Sequence, residues 1–229
     1  MNTTVYLIRH SIRFNEKDIE KYNTSQNKLL RNEKIILSVE GERRAEILSN
    51  EEELQNLDVV YASNCVRTLQ TAKYILEKQQ LKVNIDERFD ERRVGLPNND
   101  VVKDWFVVQY LDENYKTIGG ESQKEVRDRF SEALDEVLDQ HRGERIAIFS
   151  HGYAITFFIM KWCKFEYIES TDNLRFTFKG KEFFNKKLNA PEVFKLELDD
   201  NNELLNIEVL QIKDLPYRGT IGKQILKDE

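Results

Sequence analysis

The chain of 229 residues predicts an α/β fold, a three-layer α/β/α sandwich with a largely parallel central sheet. Three observations carry that expectation. Four short apolar runs, around 4–9, 58–62, 82–86 and 145–150, read as buried strands. Helical patterns separate them, and strands that alternate with helices build layered domains. The length fits one domain over 1–229, and nine glycines with three prolines leave few breaks inside it.

Each element follows in order. The first run opens "VYLIRHSIRF", where Val5, Tyr6, Leu7 and Ile8 give way abruptly to Arg9, His10 and Arg13. A polar stretch without apolar periodicity follows and reads as an insertion at about 15–36. "LSVEGERRAEILSNEEEL" offers Ser38 as a cap ahead of good helix formers. The strand "DVVYAS" leads into "NCVRTLQTAKYILEK", with Val66, Leu69 and Leu76 at helical spacing and Ser63 or Asn64 as N-cap.

A second insertion, at about 97–118, carries Trp105, Phe106, Tyr110 and Tyr115 among acidic residues. Its aromatics either form a lid over a leaving group or pack the insertion onto the body. In "ESQKEVRDRFSEALDEVLDQH", Ser122 and Glu125 make a capping box, and Val126, Phe130, Ala133, Leu134, Val137 and Leu138 share one face. After a helix at 152–163, "FKLELDDNNELLNIEVLQI" alternates as a hairpin around Asp199 to Asn202. It adds antiparallel edge strands near the C-terminus, a place that would also suit a homodimer contact.

Composition excludes several classes. A net charge of −6 argues against broad affinity for nucleic acid or membrane surfaces, which favour a basic protein. The longest apolar run, in "AITFFIM", is far too short to span a bilayer, and the first strand lacks the features of a secretion signal. The two cysteines, Cys65 and Cys163, offer neither a disulfide framework nor metal-ligand spacing. The expectation is a soluble cytoplasmic protein.

Chemistry concentrates at strand ends. Of three histidines, His10 in "LIRHS" and His151 in "FSHG" each stand just after a predicted strand, where ligands bind in open α/β sheets. His141, in "DQHRGE", reads as a surface residue near a helix C-terminus. Arg67 falls in the first turns of a helix that follows a strand, where free N–H groups and a guanidinium favour an anion. Arg9, Arg13, Arg67, His10 and His151 together would repel one another without a dianion between them, which points to phosphate.

These residues lie in an ordered set of motifs that resembles the histidine phosphatase superfamily, the fold group of phosphoglycerate mutase. "RHS" at 9–11 matches its Arg-His-Gly, and "LSVEGERRA" at 37–45 its "LSxxGxxQA". "VYASNCVRTLQTA" at 60–72 matches "vyaSpxxRaxQTA", and "DERRVG" at 90–95 the acidic "rERxxG". The "GGES" at 119–122 and "SHG" at 150–152 complete the series. The resemblance implies a phosphoglycerate mutase-like fold and a reaction that needs no metal and no cofactor, acting on a small phosphorylated substrate.

It also implies roles. His10 would attack phosphorus and form a phosphohistidine, while Arg9, Arg13, Arg67 and His151 would hold the phosphoryl oxygens. Glu91 would donate a proton to the leaving group, with Glu87 and then Asp90 as the alternatives. Ser11 replaces the usual glycine after the nucleophile, and its hydroxyl or N–H would be in reach of phosphate. Arg92 and Arg93 would extend the basic rim or pair with neighbouring acids.

Three functions remain in view. A metal-independent phosphomonoesterase leads. A cofactor-primed phosphoglycerate mutase follows, although Tyr153 occupies the place of that branch's asparagine after the second "HG". A phosphate-binding or regulatory protein without catalysis is the third. Substrate choice would rest on the two insertions, where the resemblance fades.

Overall fold

The computed structural model describes residues 2–14, 32–95 and 104–219. The opening parts of both proposed insertions, within 15–31 and 96–103, lie outside the described residues.

Strand β1 (Thr3–Arg9) shows why the sheet is central. Its side chains alternate between two cores, with Val5 and Leu7 in one and Tyr6 and Ile8 in the other, all fully buried. Strand β4 (Arg145–Ser150) divides the same way, Ile146 and Ile148 against Ala147 and Phe149. A strand with helices on both faces has no polar side to present, which explains the unbroken apolar runs.

One face is covered by α1 (Val39–Leu48) and α2 (Val66–Gln79), which supply Leu48, Ala72 and Ile75. The other is covered by α4 (Gln123–Gln140) and α5 (Gly152–Ile159); the short α3 is Trp105–Leu111. The capping box at Ser122 and Glu125 is present, and Ser38 caps α1 through Gly41 N. Gly41 is required by close approach, since a Cβ there would lie 2.0 Å from the Ile12 carbonyl oxygen. Helix α2 departs from expectation. Its N-cap is Cys65, with no side-chain cap bond, and the hydroxyl of Ser63, two residues earlier, lies against Thr68 and His151.

The main sheet also contains β2 (Val59–Ala62), β3 (Val83–Ile85), β8 (Val193–Leu198) and β9 (Leu204–Val209), in the order β3-β2-β4-β1-β8-β9. The first four are parallel; β8 and β9 add the expected antiparallel edge.

A separate three-stranded antiparallel sheet was not anticipated from sequence. It comprises β5 (Lys164–Ile168), β6 (Asn173–Phe178) and β7 (Lys181–Lys186) and packs Leu174, Phe176 and Phe184 onto the core under α5. The turn between β6 and β7 holds Lys179 and Gly180 at φ of 47° and 81°, as a tight two-residue hairpin with both central φ positive requires. Among the described residues, no helix is long and apolar enough to cross a membrane.

Candidate active site

The register of the sheet brings the two histidines together. Arg9 pairs with Ser150 across β1 and β4, and His10 N donates to the Ser150 carbonyl at 2.9 Å. Adjacent parallel strands therefore end at one level, and their next residues are His10 and His151. The imidazoles meet edge to face with centroids 5.2 Å apart. Beside them, Ser63 N continues the β2 ladder to the Phe149 carbonyl, and Arg67 follows in the first turn of α2.

The hydrogen bonds settle both tautomers. His10 Nδ1 lies 2.7 Å from the Ser11 carbonyl, an acceptor only, so Nδ1 carries the proton and Nε2 keeps its lone pair. His151 is arranged the opposite way. The Arg67 Nη2, which can only donate, lies 3.0 Å from Nδ1, so the proton sits on Nε2 and is given to Ser63 Oγ at 2.8 Å. Burial, then the charges of Arg67 and Arg9, hold His10 well below the ordinary imidazole range. Burial and Arg67 do the same to His151. Both rings are neutral at neutral pH.

Three buried cationic or polar groups stand around this pair. Arg9 donates through Nη1 to the Leu188 and Asn189 carbonyls, at 3.1 and 2.7 Å, and burial pushes its pKa down to about 10. Arg67 Nη1 donates to the Asn32 carbonyl at 2.6 Å. Ser11 is held by its N–H, which donates to Thr71 Oγ1 at 3.0 Å, leaving the hydroxyl rather than the amide for a ligand. Arg9 Nε, Arg67 Nε and Ser11 Oγ are buried and have no hydrogen-bond partner among the described residues. Buried polar groups are nearly always paired, so three such atoms beside one imidazole mark a place built for a hydrogen-bonding ligand. Arg13 is half-buried, bridges Leu37, and is near enough for its charge to act on His10, Arg9 and Arg67.

The three carboxyl candidates sit in different surroundings. Glu91 is half-buried at the N-terminus of α5, accepting from Ala154 N at 3.0 Å, Tyr153 N at 3.4 Å and Arg92 N at 2.9 Å. Glu87 is exposed in the 3₁₀ turn Glu87–Phe89. Asp90 accepts from Asn64 N at 3.1 Å, and burial raises it to about 6. A cavity of about 140 Å³ opens here, lined by Glu87, Asp90, Glu91, Arg93 and Cys65 among others.

Cys65, Asp90 and His151 also bring three potential ligand atoms within 4.8 Å of one another. The fixed charge of Arg67, in contact with the same imidazole, opposes a cation there.

The remaining sequence candidates fall into place. Arg92 is buried, with its guanidinium 4.5 Å from the Tyr153 ring centroid and 5.5 Å from that of Trp105. Arg93 is exposed, its N–H donating to Glu121. Phe106 and Tyr110 are buried, and Tyr110 stacks on Tyr153 and Tyr167, so these aromatics pack the insertion onto the body. His141 is not simply a surface residue: it caps α4, half-buried, between Tyr61 Oη and Glu144.

Residues that sequence reasoning passed over include Ser63, which orients His151, and Arg129, which holds the turn carrying Glu91. Ser63 lay inside a quoted motif, but its place ahead of a helix disguised it as a cap.

A model of the histidine phosphatase superfamily (branch 1) matches residues 5–175. The chain belongs to the histidine phosphatase superfamily. It is 32% identical over 128 residues to phosphoglycerate mutase-like protein 4 of Arabidopsis thaliana, covering 51% of this chain and 54% of that protein. It is 30% identical over 123 residues to phosphoserine phosphatase 1 of Hydrogenobacter thermophilus, covering 50% and 58%. The matched part thus spans little more than half the length of these curated relatives.

Among solved structures, a mycobacterial glucosyl-3-phosphoglycerate phosphatase superposes with a TM-score of 0.61 at 16% identity, covering 91% of this chain and 97% of that one. At that identity the likeness is one of fold, and it agrees with the phosphoglycerate mutase-like architecture expected from the motifs.

Proposed function

We propose that the protein is a metal-independent phosphomonoesterase acting on a small phosphorylated metabolite through a phosphohistidine. One observation supports this most: the Ser11 carbonyl takes the Nδ1 proton of a neutral His10, so Nε2 offers a free lone pair amid buried guanidinium groups.

In this reading Nε2 forms the bond to phosphorus as the ester P–O bond breaks in line. The departing alkoxide takes a proton from the Glu91 carboxyl. A water then attacks the phosphohistidine, giving a proton to Glu91 as the P–N bond breaks, which restores His10 and releases phosphate. Arg9, Arg13 and Arg67 hold the phosphoryl oxygens throughout, His151 joins them once its Nε2–H turns from Ser63 Oγ to the substrate, and the Ser11 hydroxyl adds a neutral donor. The names of the Hydrogenobacter and mycobacterial proteins are those of a phosphoserine phosphatase and a glucosyl-3-phosphoglycerate phosphatase, which agrees with this reading.

The test is hydrolysis of an aryl phosphate in the presence of EDTA. Turnover should persist, an acid-labile phosphoenzyme should be trapped, and His10→Ala should abolish both; EDTA-sensitive turnover would sink the mechanism. Glu91→Gln should impair alkyl phosphates more than aryl phosphates, because only the poor leaving group depends on the proton. The Arabidopsis relative's name keeps a mutase in view. Interconversion of 2- and 3-phosphoglycerate faster than phosphate release would favour that reading.

A further inference from the structure

Arg9 meets the rest of the protein in an unusual way. The acceptors of its guanidinium Nη1 are two main-chain carbonyls, Leu188 and Asn189, and its own backbone N–H donates to the Glu192 carbonyl at 2.9 Å. One turn, residues 188–192, therefore holds both ends of Arg9. That turn is buried but belongs to no strand until β8 begins at Val193, so something other than a ladder must fix it.

The fixing group is a second buried arginine. Arg44, on the inner face of α1, is 1% exposed. It donates through Nε to the Ala190 carbonyl and through Nη2 to Asn189 Oδ1 at 2.8 Å and the Pro216 carbonyl at 2.9 Å. The carboxylate near it, Glu40, is 3.8 Å away and half-exposed. A guanidinium buried chiefly against neutral carbonyls is a costly way to fill space, and an apolar side chain of that volume would serve packing better.

What Arg44 supplies is direction. Asn189 Oδ1 also accepts the Arg218 N–H at 2.9 Å, and Asn189 N donates to Glu192 Oε2 at 2.7 Å. Asn189 thus receives Arg44 on its side chain and Arg9 on its main chain.

We propose that Arg44 and Asn189 are positioning residues for Arg9, and that residues 216–218 form part of the same brace. This rests on the reading that Arg9 binds the phosphoryl group. Neither residue needs to touch substrate. Loss of the Arg44–Asn189 bond frees the turn, and the guanidinium of Arg9 follows its carbonyls. Misplacement of a catalytic group by about 1 Å is enough to cost up to about 10²-fold in rate.

The experiment uses the full chain with Asn189→Ala, Asn189→Asp and Arg44→Met. It measures inhibition constants for inorganic phosphate and vanadate against an aryl phosphate, with thermal melts alongside. Asn189→Ala and Arg44→Met should weaken both inhibitors about tenfold, less than the ~10²–10³ lost when a transition-state donor is itself removed. Asn189→Asp keeps an acceptor for Arg44 and for Arg218 and should leave both constants close to wild type, whatever its melting temperature. A merely structural role would move the melts and leave inhibition of the folded protein unchanged in all three; that result overturns the proposal. Should Asn189→Ala fail to fold, Arg44→Met against Asn189→Asp decides in the same terms. Wild-type protein that neither hydrolyses the ester nor binds phosphate would remove the functional reading itself, and this inference with it.

Discussion

The Oγ of Ser11 is fully buried, has no partner among the described residues, and sits one residue beyond the proposed nucleophile. Leaving a buried hydroxyl unpaired costs about 1–3 kcal/mol, and a hydrogen bond to a charged group is worth about 1.5–3 kcal/mol. The same atom therefore destabilises the free protein and favours the phosphate-bound one. Ser11→Ala should raise the stability of the free protein by on the order of 1 kcal/mol and weaken phosphate binding about tenfold. Thermal melts with and without phosphate check both halves. A variant that is stabilised yet binds phosphate as well as wild type would mean that the hydroxyl does not face the ligand. Nothing in the backbone demands glycine here, since Ser11 is not among the residues at positive φ.

At the scale of elements, the acid-bearing segment after β3 is the least regular part of the site. Beyond its short 3₁₀ turn it has no ladder, and side chains hold it instead. Arg129 of α4 donates to the Arg88, Asp90 and Glu91 carbonyls, at 2.7, 3.0 and 3.3 Å, and pairs with Glu121. Ser150 Oγ at the end of β4 donates to the Phe89 carbonyl at 2.7 Å. Arg129→Met would leave three carbonyls without that donor and loosen the carboxyl of Glu91. Turnover of alkyl phosphates should fall by roughly 10–100-fold, and that of aryl phosphates by much less. Equal losses for both ester classes would show that Arg129 supports the fold without orienting the acid.

These elements also explain what the sequence made legible. Strands β1, β2 and β4 were visible because burial on both faces leaves their centres apolar, whereas β3, expected to be buried, is an exposed edge strand with Asn84 at its middle. The pairing of His10 with His151 was visible because each is the first residue beyond such a strand. Arg129 was hidden, since a charged residue on an amphipathic helix normally faces solvent. Asn189 was hidden because its partners, Arg9 and Arg44, are 180 and 145 residues away in sequence. The sheet of β5, β6 and β7 did leave a trace: Phe165 and Tyr167, then Leu174, Phe176 and Phe178, keep a period of two ahead of a Lys-Gly turn. Charged residues between them diluted the apolar signal.

For the molecule as a whole, the buried titratable groups pull stability in opposite directions with pH. His10 and His151 have folded-state pKa values pushed below the ordinary 6.5, so the unfolded chain binds up to two more protons as pH falls below that value. Their contribution is lost on the acid side. Asp90 works the other way. Its folded pKa is raised from 3.8 to about 6, so the folded protein is penalised once the carboxylate ionises, and the penalty disappears as pH falls toward 4. Allowing for its partial exposure, that penalty is on the order of 2 kcal/mol at pH 7.5. Asp90→Asn is nearly isosteric and keeps an oxygen for the Asn64 N–H. It should raise the melting temperature at pH 7.5, with the gain shrinking steadily between pH 6 and 4.5 as wild-type Asp90 becomes protonated. The histidine-driven fall below 6.5 should persist in the variant, because neither imidazole bonds to Asp90. A melting-temperature gain that is the same at pH 4.5 and 7.5 would place the benefit in packing and leave the Asp90 carboxylate without a role in the pH dependence. A gain that tracks the titration would identify Asp90 as a group the fold holds at a cost, beside the site it serves.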